Sequence, residues 1–199
     1  MIKIGLTGGI GSGKTTVASI FEVLEIPVYK ADERSKYLVG HNQQVHDAIA
    51  SEFGQEMFDK NGDLKRKKLS DLVFGNKSAL QKLNGIVHPA VANDYKKWCE
   101  SNQGVAYTIR ESAILFESGA NKQVDQVIMV FSPIETMIKR IMDRDGFSRV
   151  KVLEIMENQW PEQKKIDLSD DVPMSDGQQS LIKQVLTFHD SIMARLSKT

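Results

Sequence analysis

Apolar residues along this chain follow two rhythms, and the points where one replaces the other mark its elements. Ile2-Lys3-Ile4-Gly5-Leu6 is a short, mostly apolar run that stops at glycines, as a buried strand does. From Lys14 the period lengthens. Val17, Ile20, Phe21 and Leu24 recur at helical spacing and predict a helix from about Gly13 to Leu24. Ile26-Pro27-Val28-Tyr29 predicts a second strand, with proline suited to its start. Between Ala31 and Gln103 the pattern offers no strand. Leu69, Leu72 and Val73 share one helical face, as do Leu80, Leu83 and Val87, and Val91, Tyr95 and Trp98 predict a further helix ending near Gly104. Asp59-Lys60-Asn61-Gly62 carries turn chemistry. Strands resume at Val105–Ile109 and at Val127–Phe131, the latter a continuous apolar run of the kind covered on both faces. Ile134, Met137, Ile138 and Ile141 mark a helix stopped by Asp145-Gly146. Ser148 to Ile166 predicts two short helices broken near Pro161, Asp171–Met174 a weak edge strand, and Leu181 to Leu196 a well-patterned final helix. Strands alternating with helices imply an α/β fold, a parallel sheet with helices on both faces, here interrupted by a helical insertion.

Composition narrows the partners. The chain has 199 residues, 41% of them hydrophobic, enough for a core without disulfide staples. Its 26 basic residues balance 26 acidic ones, which argues against a strongly basic nucleic-acid surface. The lone Cys99 excludes an internal disulfide and a cysteine-rich metal centre. No run approaches the roughly 18 apolar residues of a membrane span, and the N-terminus has no basic leader. The expectation is a cytoplasmic monomer or small homo-oligomer with no membrane or nucleic-acid partner.

One stretch carries chemistry on its own. Gly8-Gly9-Ile10-Gly11-Ser12-Gly13-Lys14-Thr15 fits the pattern Gly, four residues, Gly, Lys, Ser or Thr, and it lies between a predicted strand and a predicted helix. A triphosphate needs many donors at close range, and backbone amides supply them only where side chains stay clear. The helix start adds the positive end of its dipole. Lys14 can reach the terminal phosphates and the Thr15 hydroxyl can ligate Mg²⁺. The fold class is therefore that of the P-loop nucleotide-binding proteins. The expected nucleotide-binding set is Gly9, Ile10, Gly11, Ser12, Gly13, Lys14, Thr15 and Thr16.

A regulatory GTPase is disfavoured, because neither Asn76-Lys77-Ser78-Ala79 nor Asn121-Lys122-Gln123-Val124 completes a guanine-reading Asn-Lys-x-Asp. Three features favour a kinase. Asp32 follows the second strand, where a carboxylate can orient an acceptor hydroxyl, although it also suits a helix N-cap. Glu111 ends the third strand, where it can hold Mg²⁺ or its waters or simply be solvated. Arg140 and Arg144 lie one turn apart on a helix, an arrangement that asks for an anion or pairing acids, or for a solvated basic face.

Together these residues resemble the dephospho-coenzyme A kinase family. Ile4 to Lys14 is similar to that family's signature, Val28 to Arg34 resembles its Asp-Ala-Asp segment, and Leu83-Asn84-x-Ile86-x-His88-Pro89 resembles its Leu-x-x-Ile-x-His-Pro motif. Leu115-Phe116-Glu117 is similar to the end of its Pro-Leu-Leu-Phe-Glu motif, and Arg140 through Ser148, then Gln159, follow its lid pattern. The resemblance implies transfer of the ATP γ-phosphoryl to the ribose 3′-hydroxyl of dephospho-coenzyme A, with Asp32 as base, Lys14, Arg140 and Arg144 acting on the phosphoryl group, Mg²⁺ on Thr15 and Glu111, and His88 near the substrate. Another P-loop kinase of small molecules or nucleotides is the alternative. The implied parts are a nucleotide-binding core (1–32, 104–139 and 168–199), a helical coenzyme A-binding domain (33–103) and a lid (140–167). The chain departs from the pattern at Lys30, which replaces the first Asp, at Glu111 for Asp, at Ala113 for Pro and at Ile155 for Arg. Ser169-Asp170 and Ser175-Asp176-Gly177 follow the family's Ala-Asp and Asn-x-Gly segment only loosely.

Overall fold

The structure, a computed structural model, describes residues 1–197. It resolves into two compact units. One comprises Met1–Lys30 and the chain from Asn102 onward; the other is Ala31–Ser101.

The first unit is built on four parallel strands: β1 (Ile2–Thr7), β2 (Val28–Lys30), β3 (Tyr107–Glu111) and β4 (Gln126–Met129), in the order β2-β3-β1-β4. Central β1 is apolar because both faces are covered, and Ile4 and Leu6 are fully buried. Around it run α1 (Lys14–Val23), α6 (Ile134–Asp145), α7 (Arg149–Met156), α8 (Glu162–Asp167) and α9 (Leu181–Leu196). On one side, Val17, Ala18 and Phe21 of α1 and Val185 and Ile192 of α9 close the core over the sheet, with Phe21 edge-on to both Tyr107 and Phe188. The third strand sits two residues later than its apolar run predicts, because Arg110 and Glu111 are buried with it. The expected edge strand at Asp171–Met174 is reduced to two parallel bridges, Ile128 to Asp171 and Phe131 to Met174. Pro173 accepts from the Phe131 N–H but has no N–H to return.

The second unit is helical: α2 (Ala31–His41), α3 (Gln43–Phe53), α4 (Arg66–Val73) and α5 (Lys77–Ser101). Its strand-like content among the described residues is one antiparallel bridge, Phe58 to Leu64, across the Asp59–Gly62 turn. Val45, Ile49, Met57 and Leu69 form its core, flanked by Leu83, Ile86 and Ala90 of α5. The two helices predicted either side of His88-Pro89 are a single helix of 25 residues with Pro89 inside it. Proline removes the N–H that the Gly85 carbonyl would accept in a regular helix. Packing keeps the helix continuous, with Val87, Val91 and Tyr95 all buried on one stripe.

Candidate active site

Parallel strands put their carboxyl ends on one edge, and the glycine loop leaves β1 there. Register sets Glu111, the last residue of β3, beside Leu6, one residue before the end of β1. The loop then turns through positive φ at Gly8, Gly11 and Gly13. A β-carbon at Gly11 would lie 2.7 Å from the Met137 carbonyl oxygen, so α6 can approach the loop only at a glycine. Gly13 is the N-cap of α1 and has no side chain to cap the helix, which leaves the first amides of α1 for an anion.

Lys14 and Glu111 are each 9% exposed, and Nζ stands 3.6 Å from Oε1. A buried ion pair at the mouth of a phosphate loop is a charge held in reserve. Phosphate oxygens can replace the carboxylate as the partner of Lys14, which releases Glu111. Thr15 and Thr16 are exposed in the first turn of α1. One hydroxyl and one carboxylate, completed by phosphate oxygens and waters, make the all-oxygen set that Mg²⁺ takes. Among the described residues no group of three His, Cys, Asp or Glu forms a metal cage.

The two arginines expected to act together are placed differently. The Nη1 of Arg140 donates to the Gly11 and Ser12 carbonyls (3.2 and 3.3 Å) and to Ser175 Oγ (3.1 Å), and its Nη2 donates to the Ser175 carbonyl (2.9 Å). It therefore ties the loop to the 171–175 segment. Arg144 donates twice to the Asp145 carboxylate, at 2.8 and 2.7 Å, with a largely exposed side chain. That bond raises the Arg144 guanidinium above its ordinary value and lowers the Asp145 carboxyl. The pairing acid foreseen for this helix face is thus its neighbour in sequence.

Asp32 and His88 belong to the helical unit. Asp32 is exposed in the first turn of α2, which begins at Ala31. It stands inside the helix, so the N-cap alternative does not hold, and its charge complements the helix dipole there. His88 lies mid-way along α5, half-buried, and burial lowers its imidazole below the ordinary value. Lys30, in place of the family acid, reaches Glu22 at 2.8 Å.

Sequence reasoning named Gln159 and Glu117 only as motif residues and missed the cluster they join after α7. The Gln159 Oε1 accepts the Ile10 N–H at 3.0 Å, and a carboxylate oxygen of Glu162 lies against the Gly9 backbone. Behind them Lys165, fully buried, meets Glu117 at 2.9 Å and the Ala113 carbonyl at 3.3 Å. Glu117 also accepts the Trp160 N–H at 2.9 Å. The signals were two: the motif positions of Gln159 and Glu117, and the i,i+3 spacing of Glu162 and Lys165. Neither says that a lysine will be buried.

Comparison with known proteins decides the family. The sequence model described as dephospho-CoA kinase matches residues 2–180. The chain belongs to the dephospho-CoA kinase family. It is 42% identical over 166 residues to the dephospho-CoA kinase of Porphyromonas gingivalis, covering 82% of this chain and 80% of that protein. It is 38% identical over 190 residues to that of Fusobacterium nucleatum, covering 95% and 97%. The crystal structure of TT1252 from Thermus thermophilus matches with a TM-score of 0.83 at 29% identity, over 98% of this chain and 97% of the other. Membership accounts for the glycine loop, the parallel sheet and the reach of the resemblance through the C-terminal third.

Proposed function

We propose that this protein transfers the γ-phosphoryl group of ATP to the ribose 3′-hydroxyl of dephospho-coenzyme A, giving coenzyme A and ADP, the last step of coenzyme A synthesis. The observation that carries the reading is the buried Lys14–Glu111 pair at the glycine loop, in a chain matched by the family over residues 2–180.

The triphosphate enters along the loop amides and the start of α1, and Lys14 exchanges Glu111 for phosphate oxygens. Freed, Glu111 together with the Thr15 hydroxyl would hold Mg²⁺, whose chemistry is to neutralise phosphate charge. Asp32 orients the acceptor hydroxyl and takes its proton as the oxygen attacks in line with the departing ADP oxygen. Arg140 holds the loop in shape through the Gly11 and Ser12 carbonyls and adds positive charge beside it. Arg144 reaches the moving phosphoryl group by exchanging Asp145 for its oxygens. Residues 140–167 serve as the lid, excluding the water that would otherwise compete as acceptor. Residues 33–103, with His88, bind the coenzyme A portion. The reading places the enzyme in the cytoplasm as a monomer or small homo-oligomer; no helix among the described residues is long and apolar enough to cross a membrane.

Incubation with ATP, Mg²⁺ and a panel of acceptors, followed by phosphorus NMR of the products, tests this. The expected product carries a new 3′-phosphomonoester on dephospho-coenzyme A. Phosphorylation of nucleoside monophosphates with dephospho-coenzyme A untouched would move the protein to another kinase activity.

A further inference from the structure

Glu162 is a costly residue where it stands. A β-carbon on Gly9 would lie 2.6 Å from its Oε1, so the carboxylate rests against the bare backbone of the loop. Its Oε2 is buried with no hydrogen-bond partner among the described residues. Lys165 and Lys14 attract it, Glu117 repels it, and burial is the largest effect, raising its carboxyl above the ordinary value. An acid held against that cost is held by something. Lys165 is anchored to Glu117 and the Ala113 carbonyl, Glu117 to the Trp160 N–H, and Trp160 stacks parallel to Phe116 under the Lys164 ammonium. These contacts fix residues 160–165 against the segment that follows β3, and from this base Gln159 takes the Ile10 amide while the Glu162 carboxylate lies against the Gly9 backbone.

We propose that Glu162 is a positioning residue: seated on the buried Lys165–Glu117 pair, its carboxylate oxygen fixes the first bend of the phosphate loop through the Gly9 N–H, and so sets the affinity for the nucleotide phosphates without touching them. Gln159 does the same one residue on, at Ile10. The part of the lid after α7 is then a fixed strut, and closure is confined to the segment before Gln159. The inference rests on the kinase reading for its consequence, while the strap rests on the contacts around Gly9 and Ile10 alone.

Two measurements separate these. Amide hydrogen exchange at Gly9, followed by NMR in nucleotide-free protein, reads the strap; calorimetric titration with ATP and Mg²⁺ reads its consequence. For Glu162→Ala, Gly9 exchange accelerates and the Kd rises by about 3- to 10-fold, the yield of one net hydrogen bond. The KM for ATP rises more than kcat falls. Glu162→Gln, which keeps a carbonyl oxygen at the same reach, stays within about twofold of the parent on both readouts. Glu162→Asp keeps the charge but loses the reach and behaves like alanine; it takes the place of the alanine variant should that one fail to fold. Unaltered Gly9 exchange in Glu162→Ala or Glu162→Asp overturns the strap, as does a glutamine variant as impaired as alanine. A parent protein that binds no nucleotide refutes the kinase reading, and Gly9 exchange still decides the strap.

Discussion

The two units bury different things. Every buried Ser, Thr, Lys, Arg and Glu side chain among the described residues lies in the sheet-containing unit: Thr7, Ser12, Lys14, Thr108, Arg110, Glu111, Ser112, Ser132, Lys165 and Ser175. The buried side chains of the helical unit are aliphatic or sulfur-containing, together with Tyr95. Desolvating a charge is expensive unless it is paired, so a fold that does so repeatedly is holding charge for use. The helical unit holds its own shape by largely apolar packing, with the Tyr95 hydroxyl buried in it, and keeps its charged groups, Asp32 included, out of its core. On this contrast, chemistry in the sheet unit is tied to stability, and chemistry in the helical unit can be removed with little structural cost.

The largest expected effect breaks the sheet side of that contrast. Lys14→Ala abolishes turnover, by roughly 10³-fold or more, since it removes a preorganised charge from the transferring phosphates. A coupled assay of ADP release measures it, with circular dichroism to show that the fold is kept. Turnover at the parental rate would remove the loop from the mechanism. Asp32→Asn sharpens the helical side. It lowers kcat by roughly 10² to 10⁴, the range for loss of a general base, with the melting temperature little changed, because the side chain is exposed and gives up only its interaction with the helix dipole. A loss below about threefold would leave Asp32 a first-turn acid serving the helix dipole only.

Stability separates the units next. Lys165→Met leaves the Glu117 carboxylate without its buried partner and costs about 3–5 kcal/mol, seen as a lower midpoint in urea. Pairing it with Glu117→Met removes the orphaned charge as well and recovers most of the loss. A single variant as stable as the parent would show that the cluster is not held by this pair, and would weaken the base on which Glu162 rests.

How much of this the chain disclosed follows the same division. β1, the glycine loop and α1 were legible because three signals coincide there: an apolar run, glycines and a change of period. Lys14, Glu111 and Arg140 were legible as candidates from residue type and position. Arg140's actual partners were not, since backbone carbonyls at Gly11 and Ser12 leave no mark on a sequence. α5 was misread as two helices because a local rule, proline ends a helix, yields here to a continuous buried stripe. The Lys165–Glu117 pair spans 48 positions and was invisible, because composition marks lysine as a surface residue and only tertiary packing says otherwise.

The smallest expected effect concerns His88, half-buried on α5 of the helical unit. Burial lowers its imidazole below the ordinary value of 6.5. The folded protein therefore binds its proton less readily than the unfolded chain. Below pH 6.5 the unfolded chain takes up that proton first, so ν of the unfolded state exceeds ν of the folded state and stability falls as pH falls. At neutral pH both states carry neutral His88 and the contribution vanishes. His88→Gln removes this one titration, so its urea midpoint should decline less steeply between neutrality and mild acid than the parent's, with His41, His46 and His189 common to both. Parallel slopes would mean that His88 is solvated as freely in the fold as in the unfolded chain. A raised KM for dephospho-coenzyme A in the same variant, at a pH where the two midpoints agree, would assign the side chain to the acceptor as well as to the helix.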